Sequence, residues 1–171
     1  VIKFVTISHK LRLYTNLLPN IAMHEDKVAE YLQKSLDNLK LNHVDLYLIQ
    51  NPVGYIENEK KSLYPRMPDG ETILLEMGTD HTKIWKAMAK QITAGKTKAI
   101  GMCNFTISQM EKVIRDTEII PSNIQAECHL YFQQKELRQW AKSRGIIFTA
   151  YACLGSPAMM QIFQKARNND P

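Results

Sequence analysis

Cysteine is scarce in this chain, and no spacing typical of a cysteine-based site is present. The three cysteines among 171 residues form no CxxC pair and no short-range cluster. A disulfide framework or a structural metal site would need closer pairs. We therefore expect free thiols, an intracellular, cytoplasmic location and no bound metal.

Long apolar runs and a concentrated charge of one sign are also missing. No segment approaches the roughly 18 to 20 apolar residues of a membrane helix, and the opening VIKFVTISHK lacks the apolar region and cleavage site of a secretory signal. The net charge of +5 is spread along the chain among acidic residues, which is typical of a solvated surface or, at most, a mildly cationic pocket for a phosphorylated ligand. We expect neither nucleic acid nor a membrane as partner.

What the chain does contain is a regular succession of apolar strands and amphipathic helices. With 44% hydrophobic and 23% charged residues, it has the composition of one globular domain over residues 1–171. Val28, Leu32, Leu36 and Leu39 form one helical stripe, and Thr106 opens a capping box ahead of a later helix. The β-branched and apolar runs predict strands over residues 1–7, 44–49, 98–103, 123–128 and 146–151. The proline- and glycine-containing stretch 50–79 is predicted to be a long loop.

This alternation of strands and helices predicts parallel βαβ units. The spacing of the last strands suits either an open doubly wound sheet or a (β/α) barrel. Because no strand is followed by GxGxxG, the barrel is favoured. We expect an α/β fold, a partial (β/α)8 TIM barrel with about five parallel strands and outer helices. Its apolar edge strands, residues 1–7 and 146–151, are expected to allow self-association.

Five segments, in order, resemble signature segments of the aldo-keto reductases. They are Leu36-Asp-Asn-Leu through Tyr-Leu-Ile49, Trp85-Lys-Ala-Met, Ala94-Gly-Lys through Gly101 with Asn104-Phe105, Gln125-Ala-Glu-Cys-His129, and Thr149-Ala-Tyr151 with Leu154-Gly-Ser-Pro157. The resemblance implies an NADPH-dependent reductase of small aldehydes and ketones, and a chain that corresponds to about the third to the seventh strand of the barrel. A fragment and a natural truncation both remain open. The stretch Tyr131 to Lys135 has the style of insect members.

The resemblance assigns the nicotinamide side of the site to residues at strand ends. It implies that Asn104 and Gln125 hydrogen-bond the carboxamide and that Tyr151 stacks on the nicotinamide ring. It further implies that a loop approaches the pyrophosphate through Leu154, Gly155 and Ser156.

The catalytic side departs from the family pattern. Gln50 stands where the family has a histidine, and an amide can orient a carbonyl but cannot titrate near neutrality. Asn51 replaces an aromatic residue at a position expected to contact substrate. The family lysine falls on Lys10 if two residues are inserted and on Ser8 if the alignment is ungapped. The resemblance implies that the family's catalytic tyrosine and its aspartate partner would come from a segment ahead of Val1.

Two functions therefore follow from the sequence. The first is an NADPH-dependent carbonyl reductase with catalytic candidates Lys10 and Gln50. The second is a non-catalytic relative that keeps a ligand-binding or interaction surface.

Overall fold

The computed structural model describes residues 3–6, 12–58, 62–66 and 72–156. The strands are β1 (Lys3–Thr6), β2 (Arg12–Leu18), β3 (Val44–Ile49), β4 (Gly54–Tyr55), β5 (Leu75–Glu76), β6 (Thr97–Cys103), β7 (Asn123–Glu127) and β8 (Ile147–Tyr151). The helices are α1 (Lys27–Leu39), α2 (His81–Thr93), α3 (Ile107–Thr117) and α4 (Lys135–Ser143). A short 3-10 turn, Asn20–Ala22, follows β2.

Five strands form a parallel sheet, as the sequence predicts. The order of the six-stranded sheet is β1-β2-β3-β6-β7-β8, and every pairing from β2 to β8 is parallel. The predicted identity of the first parallel strand is wrong, because β1 pairs antiparallel with β2. Only residues 7–11 separate these two strands, which suffices for an antiparallel return but not for a parallel crossover. The first parallel strand is β2, which the sequence interpretation assigned to no element.

The long segment 50–79 is not entirely a loop. Within it, β4 and β5 form a separate two-stranded antiparallel sheet, in which Gly54 pairs with Glu76 and Tyr55 with Leu75. A Cβ atom on Gly54 would lie 2.5 Å from the Thr79 hydroxyl, so the close approach at this turn requires glycine. Two-residue strands are too short to show a period in the sequence.

The helices pack on one face of the parallel sheet. The predicted stripe of α1 is confirmed at Val28, Leu32 and Leu36, which are fully buried, whereas Leu39 at its end is half-buried. The predicted capping box of α3 is also confirmed, with Thr106 as its N-cap. The core between helices and sheet includes Trp85 of α2 and inward residues of the central strands. Because side chains alternate along a strand, the polar residues at the strand ends lie on the opposite face.

Candidate functional site

The predicted site residues lie at one edge of the sheet. Gln50 follows β3, Asn104 follows β6, Gln125 lies in β7 and Tyr151 ends β8. Neighbouring parallel strands end on the same side, which is where the sites of (β/α) barrels assemble. The sheet pairs Cys103 with Gln125, so side chains from successive strands meet there.

Asn104 is the centre of this edge. Its backbone has φ 62°, in the left-handed region that asparagine tolerates better than most residues. The Asn104 backbone amide donates to the Gln125 backbone oxygen at 2.9 Å. The Asn104 side-chain nitrogen donates to the Gln50 backbone oxygen at 3.1 Å. The Tyr151 hydroxyl donates to Asn104 Oδ1 at 2.9 Å. The fold thus brings together three predicted cofactor residues and the predicted catalytic residue Gln50.

Asn51 contacts the same asparagine. Its Oδ1 accepts from Asn104 Nδ2 at 2.8 Å, and its own Nδ2 donates to Asn20 Oδ1 at 3.2 Å. Asn20 is only 4% exposed and donates to the Val53 backbone oxygen at 2.7 Å. Sequence reasoning did not single out Asn20, because it lies just after the strand that was missed.

Gln125 is held by a cysteine rather than a hydroxyl. The buried Cys103 thiol donates to Gln125 Oε1 at 3.4 Å, a weaker bond than a serine would make. The amide nitrogen of Gln125 keeps its donor capacity for a ligand oxygen.

The phenol of Tyr151 is protonated at neutral pH. Burial raises its pKa, and the negative charge of Glu127 adds to the effect. Tyr151 therefore serves as a hydrogen-bond donor to Asn104 and not as a base.

A cavity of about 800 Å³ opens beside Asn104 and Tyr151. Its wall consists of residues 104–107, Ala126, Glu127, the segment 130–137 and Tyr151. Gln50, Asn51 and Gln125 are not among its lining residues, so the cavity receives only two of the predicted site residues.

The loop after β8 forms a tight turn. The Gly155 amide donates to the Ala152 oxygen at 2.9 Å, and Gly155 has φ 88°, a conformation that favours glycine. A Cβ atom on Gly155 would meet nothing within 4 Å. Leu154 is fully exposed, and Ser156 ends the described part of the chain. None of the three predicted pyrophosphate residues lines the cavity.

The first parallel strand brings an apolar residue to the site. Leu17 pairs with Leu48 in the neighbouring strand, and Leu48 lies on the face opposite the helices. Lys10 and Ser8, the two candidates for the family lysine, lie outside the described residues.

One titratable side chain supports the loop after β3. His81 is half-buried, and its Nε2 donates to the Pro52 oxygen at 2.9 Å. Its ring contacts Phe105 edge-on, with ring centroids 5.2 Å apart. Burial lowers the pKa of His81, so the imidazole is neutral where it supports this loop.

The described residues form neither a metal-ligand cluster nor a membrane-spanning helix. Over the described ranges, no three His, Cys, Asp or Glu side chains are grouped as a metal site would need. None of the four helices given above is long and apolar enough to cross a membrane.

Comparison with known proteins gives one consistent result. The model of the Aldo/keto reductase family matches residues 3–170. Aldo-keto reductase family 1 member A1 from Xenopus tropicalis is 38% identical over 143 residues, which are 84% of this chain and 42% of the relative. NAD(P)H-dependent D-xylose reductase from Scheffersomyces stipitis is 34% identical over 161 residues, covering 92% of this chain and 50% of that protein.

A solved structure extends the likeness to the fold. The aldose reductase from Schistosoma japonicum superimposes with a TM-score of 0.76 at 32% identity, over 90% of this chain and 51% of that one. The chain thus spans about half the length of the proteins it matches. The relatives given above come from a frog, a yeast and a fluke, so they do not test the likeness to insect members.

Proposed function

The chain belongs to the aldo-keto reductase family, and we propose that it forms the nicotinamide-binding side of an NADPH-dependent carbonyl reductase site. The observation that carries the proposal is the bond from the Tyr151 hydroxyl to Asn104 Oδ1 at 2.9 Å. It joins the ends of two strands beside the cavity of about 800 Å³, with Gln125 on the strand between them.

The residues present fit a nicotinamide carboxamide. A carboxamide offers two N–H donors and one acceptor oxygen. Asn104 Oδ1 has a second lone pair beyond the one that Tyr151 uses, and the Gln125 amide nitrogen can donate to the carboxamide oxygen. The Tyr151 ring, fixed at its hydroxyl, would provide a flat surface for the nicotinamide ring.

Bound NADPH would supply a hydride, and the residues of this chain would position the ring for its delivery. Holding the ring and the carbonyl in one geometry lowers the entropic part of the barrier. Gln50, which lies beside Asn104, is proposed to orient the carbonyl through its side-chain amide. The cofactor specificity for NADPH over NADH is likewise a proposal.

Proton supply separates this proposal from full catalysis. The alkoxide that forms on reduction needs an acid within roughly 3 Å. Gln50 cannot titrate, and the Tyr151 proton is committed to Asn104. We propose that the described residues bind and orient, and that this chain alone does not turn over aldehydes.

A second candidate is a relative that binds a ligand without chemistry. Two side chains favour this second candidate over a complete reductase. They are Gln50 after β3 and Leu17, which pairs with Leu48 of β3. Neither can donate or accept a proton near neutrality. In this alternative the cavity beside Asn104 would bind its ligand and release it unchanged.

Titration of NADPH fluorescence against the purified chain tests the proposed function. We expect binding, and we expect Tyr151→Ala to weaken it about tenfold, since an aromatic stacking contact contributes roughly 1 to 1.5 kcal/mol. Tyr64→Ala is the matched control, because Tyr64 is 55% exposed and is not among the residues that line the cavity. Equal affinity of the Tyr151 variant and the parent chain would refute the stacking role.

An assay of NADPH oxidation with a panel of small aldehydes and ketones tests whether the isolated chain is a complete reductase. A rate equal to that of buffer is expected for the isolated chain. A rate above buffer that Lys10→Met abolishes would restore the complete reductase and assign the lysine role to Lys10.

The edge strands of the described sheet, β1 and β8, carry a further proposal of self-association. Ile147 is an apolar residue of β8 with 65% of its side chain exposed, as expected for an edge that can pair with another copy. Sedimentation velocity of the parent chain and of Ile147→Lys tests this; identical monomeric profiles would contradict it.

A further inference from the structure

Three asparagine side chains form one continuous relay of hydrogen bonds. Asn104 Nδ2 donates to Asn51 Oδ1 at 2.8 Å, and Asn51 Nδ2 donates to Asn20 Oδ1 at 3.2 Å. Asn20 Nδ2 in turn donates to the Val53 backbone oxygen at 2.7 Å. The relay ties together the segments that follow β2, β3 and β6.

Two backbone carbonyls, one at each end of the relay, determine which atom of each asparagine amide donates and which accepts. The Val53 oxygen can only accept, so Asn20 must present its nitrogen there and its oxygen to Asn51. The Gln50 oxygen, which accepts from Asn104 Nδ2 at 3.1 Å, requires the same direction at the other end. Reversing a single amide would bring two oxygens or two NH2 groups into contact.

The bonds of this relay are shielded from water to different degrees. Asn20 is 4% exposed, whereas Asn51 and Asn104 are half-buried. Hydrogen bonds in such surroundings are stronger than exposed ones, and a reversed amide is correspondingly costly. The buried end at Asn20 therefore anchors the more accessible end at Asn104.

We propose that Asn20 and Asn51 are positioning residues that hold the Asn104 amide with its oxygen toward Tyr151 and the cavity. The inference rests on the proposed nicotinamide site and deepens it. With both Asn104 N–H groups occupied by Gln50 and Asn51, Asn104 itself presents only an acceptor to the ligand, and the donor at this edge is the Gln125 amide. Such a site recognises the NH2 donor of a carboxamide and disfavours a carboxylate in its place.

Side-chain amide NMR tests the orientation without any nucleotide. In the full chain, the Asn104 NH2 protons should exchange with water more slowly than those of the exposed Asn42, and Asn104→Gly identifies the signal by its loss. Asn51→Leu removes the acceptor and should speed this exchange about fivefold, as expected for one lost hydrogen bond. Asn51→Asp keeps an acceptor oxygen for Asn104 but loses the donor to Asn20, so exchange should be intermediate between that of the parent chain and that of Asn51→Leu. Asn51→Ala is the smaller substitute if the leucine variant does not fold. Unchanged exchange in both apolar variants overturns the proposal.

Competition between two nucleotides tests the consequence for the ligand. NADPH and its analogue with a carboxylate in place of the carboxamide are titrated against the parent chain and both Asn51 variants. We expect about a tenfold preference for NADPH in the parent chain, an intermediate preference in Asn51→Asp and less than threefold in Asn51→Leu, with Asn42→Leu as control. A preference that Asn51→Leu leaves intact overturns the positioning role. If neither nucleotide binds the parent chain, the proposed function fails, while the NMR result still decides whether the relay orients Asn104.

Discussion

Strands β6 to β8 and strands β2 and β3 end at the same edge of one sheet, yet they bring different side chains to it. The first group contributes Asn104, Gln125 and Tyr151, which retain donor or acceptor capacity toward a ligand. The second group contributes Leu17, Gln50 and Asn51, none of which titrates. One fold can therefore keep the geometry for binding on one side, while the described residues of the other side supply no proton donor.

The two groups of strands meet where β6 pairs with β3, and β6 tolerates no side chain at Gly101. A Cβ atom on Gly101 would clash with the Asn123 backbone oxygen in β7 and would lie 2.5 Å from Leu48 in β3. We expect Gly101→Val to lower the free energy of unfolding by about 3 kcal/mol, since neither backbone nor packed core can yield. Urea denaturation measures this, with Gly78→Ala as control, because the nearest atom there is a flexible glutamate oxygen. Equal loss in both variants would show that β6 does not couple the two sides through Gly101.

Asn104 joins the two sides through side-chain bonds. Asn104→Gly retains the positive φ but leaves the Gln50 oxygen, the Asn51 oxygen and the Tyr151 hydroxyl without this partner. The expected loss in free energy of unfolding is about 2 kcal/mol, whereas Gln50→Ala should cost less than about 0.5 kcal/mol as a half-buried surface change. Thermal or urea unfolding compares them, and a reversed order would contradict the central position of Asn104.

The loop after β3 should lose stability at acid pH, because His81 supports it. Because burial lowers the folded-state pKa of His81, the unfolded chain binds a proton more readily than the folded chain. The contribution of neutral His81 to the free energy of unfolding is complete above the unfolded-state pKa near 6.5. It is lost as the pH falls through the folded-state pKa. His81→Gln, which can still donate to Pro52, should flatten the pH dependence of unfolding between about pH 7 and 5. His24→Gln serves as the control, and parallel profiles for all three proteins would argue against His81.

The smallest expected effect comes from restoring a titratable group at the ends of β2 and β3. Gln50→His introduces an imidazole at the position where the family has one, but Leu17 and the absence of an acid among the described neighbours remain. We expect aldehyde reduction by this variant to stay at the rate of buffer. Detectable turnover in the NADPH oxidation assay would show that a single side chain separates the binding side from a working site.

Some elements could be predicted from local sequence alone because their signals are local. The α1 stripe recurs every three or four residues, and the α3 capping box lies within four residues. The parallel order from β3 to β8 follows from the helices between the strands, since each crossover constrains the direction of the next strand. Asn104, Gln125 and Tyr151 were identified by motif, and their position at consecutive strand ends explains why they meet.

Other features depended on contacts between residues distant in sequence. β1 pairs back on β2 instead of beginning the parallel sheet, and β4 meets β5 across the segment 50–79; neither pairing has a periodic signal. Asn20 and Asn51 are 31 residues apart, and Asn51 and Asn104 are 53 apart. Sequence alone determined the family, the helices and the strand-end location of the site, because these depend on local periodicity and motif order. Only the tertiary structure decided which amides face one another, because the direction of a hydrogen bond depends on the partner that folding brings within about 3 Å.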